Sequence, residues 1–313
     1  MPRQPSSLEQ DQTFAWFLAA ARHGNPYAQF NLGMLYKNGT GVAQDDAAAV
    51  DWLRRAAEQG LAFAQNQLGA MLYSGRGVVR DDMLAAHWLR CAAEQGDASA
   101  QQNLGLLHGE GRGVAHDPEA AVGWFYRAAE QGMARAQALL AECYLYGRGV
   151  AVNYPLAAAW LRKAAAQGDT AAQFNLGLMH ATGQGVAVDY GRAARWYALA
   201  AAQGDASAQN NLGVLYANGD GVTRDDPLAV HWYRAAAEQG HVLAQYNLSG
   251  MVACGRGCLP DAVRAHMWML LAASGGDAAA RSSADAAKLR LSGLQLASAE
   301  DMASAWQRAR RSC

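Results

Sequence analysis

The chain has 313 residues, 51% of them hydrophobic, and its 26 Lys and Arg against 27 Asp and Glu leave a net charge of -1. Such a composition excludes a disordered chain, and the charge balance carries no basic footprint for nucleic acid. No apolar run is long and charge-free enough to span a bilayer, so no membrane insertion is expected. Five cysteines, scattered and odd in number, make no disulfide framework, and the opening MPRQPSSLEQDQTFAWFLAAARHGN lacks the cleavage context of a secretory signal. A cytoplasmic location is the resulting expectation.

Residues 1–25 read as an N-terminal segment with a leading helix. From Ala28, AQFNLGMLYKNGTGV opens a pattern that returns at Ala64, Ala100, Ala136, Ala172, Ala208 and Ala244, always after 36 residues and without an insertion. Tryptophan keeps the same interval from Trp16 through Trp52, Trp88, Trp124, Trp160, Trp196 and Trp232 to Trp268. The chain is a repeat array, and each unit reads as two helices.

The first helix of a unit places Ala208, Leu212, Leu215 and Tyr216 at helical spacing and ends at a Gly-x-Gly pair, Gly219 and Gly221, where positive φ turns the chain. Asp45, Asp81, Asp117, Asp189, Asp225 and Asp261, with Asn153 in the same slot, suit the N-cap of the second helix. Pro118, Pro155 and Pro227 fall in its first turn. The second helix carries small residues around the Trp, as in Ala229, Trp232, Ala236 and Ala237. This spacing predicts a buried ring that fills the gap between closely packed helices. A Gln-Gly pair, such as Gln239-Gly240, ends it.

The 36-residue period, AxAQxxLGxLYxxGxGV, the loop Asp and WxRxAAxQG resemble the Sel1-like repeat family, relatives of the tetratricopeptide repeat. The resemblance covers about residues 10 to 277 and implies an all-α, right-handed superhelix of antiparallel helix pairs. Its units are 26–61, 62–97, 98–133, 134–169, 170–205, 206–241 and 242–277. Residues 278–313 depart from the pattern, yet LSGLQLASAEDMASAW is similar to the capping segment of many such arrays. The family implies an adaptor that binds a protein or extended peptide through its concave surface, with no enzymatic activity and no cofactor.

On a helical wheel of the first copy, Ala28, Leu32, Leu35 and Tyr36 form the core side, Phe30 and Met34 lie opposite, and Asn31 sits on the flank. The outward slots vary between copies (Phe30, Asn66, Gln102, Ala138, Phe174, Asn210 and Tyr246 in one; Met34, Ala70, Leu106, Glu142, Leu178, Val214 and Gly250 in the other). Variable, partly aromatic residues on a groove wall fit partner recognition. The candidate binding residues are therefore Phe174, Asn175, Leu178, Asn211, Tyr246 and Asn247, with Phe30, Asn31 and Met34 as a separate contact. The repeated Asn allows two readings: an amide that grips a peptide backbone, or a brace to the neighbouring repeat. Gln29 and its copies read as structural, bonding the Gly-x-Gly loop.

His108 and His180 replace a core-edge Tyr and read as hydrogen-bonded core residues. Cys254 and Cys258 read as small hydrophobes rather than a metal or redox pair. The repeated Gly-x-Gly is no phosphate loop, since no strand precedes it and no Lys-Ser/Thr follows. No catalytic or metal-binding motif is present. The expected function is a non-catalytic scaffold, bacterial from its Ala- and Arg-rich composition. The alternatives are a cell-wall-related enzyme or enzyme-modulating factor of the same type, and a purely structural spacer.

Overall fold

The computed structural model describes residues 7–288 and 290–311, which form seventeen helices and no strand. The start of the N-terminal segment, residue 289 and the last two residues lie outside the described residues. The chain divides after Lys163 into two compact units. The first holds α1 (Ser7–Arg22), α2 (Pro26–Asn38), α3 (Asp46–Glu58), α4 (Ala62–Ser74), α5 (Asp82–Glu94), α6 (Ala98–Glu110), α7 (Pro118–Glu130), α8 (Ala134–Tyr146) and most of α9 (Tyr154–Ala166). The second holds α10 (Thr170–Thr182), α11 (Tyr190–Ala202), α12 (Ala206–Asn218), α13 (Asp226–Glu238), α14 (Val242–Cys254), α15 (Ala262–Ser274), α16 (Ala278–Lys288) and α17 (Gly293–Arg311).

Within each unit, successive helices pack as antiparallel pairs, because loops this short leave the chain only one way to return. The loop chemistry is that of the sequence. The Asp225 carboxylate accepts from the Leu228 N–H at 2.9 Å, and Asn153 caps α9 through the Leu156 N–H at 3.0 Å. The first loop glycine takes the left-handed conformation that ends the first helix, as Gly111 does at φ 68°. The second has a further reason to lack a side chain. A Cβ on Gly113 would overlap the carbonyl oxygen of Asp82, so the loop rests directly on the start of the preceding second helix.

The core departs from the sequence reading at the Trp. Trp160 and Trp268 are buried, but Trp52, Trp88, Trp124, Trp196 and Trp232 are only half-buried, and Trp16 is 65% exposed. The side chain that fills the helix interface is the next one along: Leu53, Leu89, Phe125, Leu161, Tyr197 and Tyr233 are all buried. Each of five of them lies over the Gly of the Leu-Gly pair on the first helix. A Cβ on Gly213 would sit 2.7 Å from Tyr233 Cδ1, and one on Gly69 2.7 Å from Leu89 Cγ. Both the Trp and its neighbour lie within a turn of the alanine stripe, so spacing on one helix alone does not choose between them.

The glutamines brace the array, though not through the Gly-x-Gly loop. Gln29 donates to the Ala21 carbonyl at 3.2 Å, and its own side-chain oxygen accepts from Gln59 at 2.7 Å. The same pairing joins Gln65 to Gln95, Gln101 to Gln131, Gln173 to Gln203 and Gln209 to Gln239. Each glutamine thereby caps the end of one second helix and holds the end of the next. In the second unit, α17 lays Ala299, Ala303 and Trp306 against α15, with the Trp306 and Trp268 rings edge to face at 6.3 Å.

Candidate protein-binding face

The second unit carries six of the candidate residues on three first helices: Phe174, Asn175 and Leu178 on α10, Asn211 on α12, and Tyr246 and Asn247 on α14. All six are half-buried. Phe174 leans on the fully buried Tyr197, ring centroids 5.9 Å apart, and packs against the core below it. Tyr246 and Asn247 line an open cavity of about 370 Å³, together with Tyr233, Met251, Cys254 and Met269.

The slot of Phe174 and Tyr246 is not the outer face expected from the wheel. Asn66, Ala138 and Asn210 occupy it in other copies and are 7%, 1% and 5% exposed. The slot lies at the seam between consecutive first helices, so these shorter side chains are covered while Gln102 and the rings reach part-way out. The asparagines explain themselves at the same seam. Asn247 donates to the Asn210 side-chain oxygen at 3.1 Å, Asn210 donates to Asn211 at 3.2 Å, and the Asn211 side chain lies beside the Tyr197 hydroxyl. In the first unit, Asn103 donates to Asn66 at 3.3 Å. Bracing accounts for these copies; Asn103 and Asn247 donate through the amide nitrogen, whereas the Asn211 oxygen is itself taken by Asn210.

In the first unit, Phe30 and Met34 are half-buried, and Asn31 donates to the Tyr27 carbonyl of its own helix at 2.8 Å. Phe30 lies 6.2 Å from Phe63. Tyr27 and Phe63 are 62% and 58% exposed and enlarge this patch. The sequence reading passed over them because they precede the Ala-Gln pair, although Tyr27, Phe30 and Met34 stand at i, i+3 and i+7.

A second missed feature joins successive loops. Arg76 donates to Asp46 at 2.8 Å and to the Lys37 carbonyl at 2.8 Å. Arg112 and Arg256 repeat the clasp on Asp82 and Asp226, and Arg112 also donates to the Tyr73 hydroxyl while covering its ring at 4.0 Å. Hydrogen bonds from Arg80 and Arg112 hold the Asp82 carboxyl down at about 2. The signal was available: the loop Arg and an Asp 30 residues earlier occur together in these copies.

The remaining chemistry is thin. His180 is 4% exposed, and its Nδ1, like that of His108, meets no protein hydrogen-bond partner. Burial, with Glu142 adding to it, pushes the Cys143 thiol up to about 11, far from a nucleophile at neutral pH. Cys254 is exposed and Cys258 half-buried, both as free thiols. Among the described residues no three His, Cys, Asp or Glu side chains cluster as metal ligands, and no helix is long and apolar enough to cross a membrane.

Tandem two-helix units with Gly-x-Gly loops, glutamine and asparagine braces and half-buried aromatic seams define a helical repeat protein of the tetratricopeptide-like class. The chain belongs to the Sel1 repeat family, whose model matches residues 9–25, 26–61, 62–97, 98–133, 134–169, 170–205, 206–241 and 242–277. It is similar to a Sel1 repeat protein from Oxalobacter formigenes, with 36% identity over 89% of this chain and 81% of that one and a TM-score of 0.70. It is also similar to a protective antigen of uropathogenic Escherichia coli strains displaying an SLR fold, with 29% identity, 95% and 79% coverage and a TM-score of 0.53. No curated protein matches the chain. Sel1 repeat proteins are generally protein-interaction scaffolds and typically non-catalytic.

Proposed function

We propose that the chain is a non-catalytic scaffold that holds an extended partner segment along the first helices of its second unit. Phe174, Leu178 and Tyr246 serve as apolar anchors, Asn175, Asn211 and Asn247 flank them, and Phe30, Asn31 and Met34 make a separate contact. A bacterial setting belongs to the same proposal, supported by the Oxalobacter relative.

The observation that carries it is the backing of the anchors. Phe174 stands on the buried Tyr197, and Tyr246 edges an open cavity beside a hydrogen-bonded asparagine chain. Rings held in place lose little freedom on binding, and such anchors commonly dominate interface energies.

A photocrosslinking side chain placed at Leu178, on the face, or at Arg234, exposed on α13, tests it in cells. A specific crosslinked band at 178 and none at 234 is expected. Crosslinking at 234 alone would overturn the assignment of the face.

A further inference from the structure

The first unit holds a smaller cavity in the same register of the repeat, between α4 and α6 with α5 beneath. Leu89 and Leu107 form its floor, Ala70 and Leu106 its sides, and Tyr73 and Asn103 its rim, and it encloses about 110 Å³. Leu89 takes the place that Tyr233 has in the second unit, and Asn103 that of Asn247. The rim is fixed. Tyr73 donates to Glu110 at 3.2 Å, lies under the Arg112 guanidinium and receives its hydrogen bond, and Arg112 is in turn held by Asp82. The Asn103 amide nitrogen is committed to Asn66, which leaves the side-chain oxygen as an acceptor.

We infer that this cavity is a side-chain-selective subsite that takes one leucine or isoleucine of an extended partner segment, the partner's backbone N–H donating to the Asn103 oxygen. The inference rests on the reading of the first helices as a protein-binding face. The size of the cavity selects the side chain. An apolar cavity of roughly 150 Å³ accepts a benzene ring, so one of about 110 Å³ suits a branched aliphatic group better than the rings of Phe, Tyr and Trp. Its floor is wholly apolar, so a charged or amide side chain would lose its hydration there without replacement. The single acceptor at the rim matches the N–H that every extended segment presents on alternate residues.

The probe is a library of random twelve-residue peptides displayed on phage, selected on the full-length chain and counter-selected on Ala70→Phe, whose ring blocks the mouth of the cavity from its side. Enrichment of Leu or Ile at one fixed position is expected. A synthetic peptide from that pool should bind Ala70→Phe, and bind wild type after its own Leu→Ala change, at least tenfold more weakly. Asn103→Asp, which keeps an acceptor, should retain binding that Asn103→Leu loses. Selected peptides that carry aromatic anchors, or that bind Ala70→Phe as well as wild type, would overturn the subsite, as would an empty selection. The Phe174→Ala/Tyr246→Ala chain separates the two proposals. Leucine peptides bound equally by that variant support the subsite whatever becomes of the second-unit face.

Discussion

Asn247 on α14 donates its side-chain amide to the carbonyl oxygen of Asn210 on α12, 3.1 Å away and 37 residues earlier. Through Asn210, which also donates to Asn211, it ties the first helices of two successive repeats together. Asn210→Ala should cost about 1–3 kcal/mol, since it removes a buried amide and leaves its half-buried partners unsatisfied. Urea unfolding of the Asn210→Ala, Asn247→Ala and double variants should show a coupling of roughly 0.5–1.5 kcal/mol. Independent, additive losses would contradict the brace. Asn175→Ala should leave stability near wild type.

At the helix interface, Tyr233→Ala should destabilise by about 3–5 kcal/mol and Trp232→Ala by clearly less, because only the former is buried against Gly213. Gly213→Ala should also destabilise, by about 1–3 kcal/mol, despite the helix preference of alanine. Equal losses for Trp232→Ala and Tyr233→Ala in thermal unfolding would return the Trp to the central place the sequence pattern assigned to it.

That contrast marks what was legible in the sequence. The period, the two-helix unit, the Gly-x-Gly turn and the Asp225-type caps follow from local backbone chemistry, which a sequence states directly. The choice between Trp232 and Tyr233 depends on which one meets a glycine on another helix, and spacing along one helix is silent on that. Phe174 and Tyr246 were singled out as outward-facing, but the slot they occupy is a seam rather than an outer face. A wheel treats one helix in isolation, whereas their exposure is decided by the neighbouring first helix that covers Asn210 in the same slot. Gln29 was recognisable as structural, while its partner Gln59 emerges only when the repeats stack.

The loop clasps predict a pH dependence. The Asp82 carboxyl lies at about 2, below the ordinary 3.8, because Arg80 and Arg112 donate to it. A depressed aspartate contributes stability above its unfolded value and loses it as pH falls through its folded value. The stability difference between wild type and Asp82→Asn should therefore be full above about pH 4 and shrink away towards about pH 2. Urea midpoints across that range measure it. A difference that stays constant with pH would contradict the clasp.

Deleting the chain from residue 293 onward removes α17 and uncovers the Trp268 face of α15. Terminal units of a repeat array need a polar outer side, so the truncated protein should self-associate while its helix content per residue stays similar. Size-exclusion chromatography showing an unaltered monomer would contradict a capping role for α17.

The central claim is that Phe174 and Tyr246 bind a partner rather than support the fold. Its most direct measurement is an equilibrium titration of the partner crosslinked at Leu178 against wild type and Phe174→Ala/Tyr246→Ala, with the melting temperature of both chains recorded alongside. Binding should weaken at least tenfold, about 1.4 kcal/mol, while the melting temperature moves by only a few degrees. A double variant that binds as tightly as wild type, or that loses binding only because it has unfolded, would contradict the account.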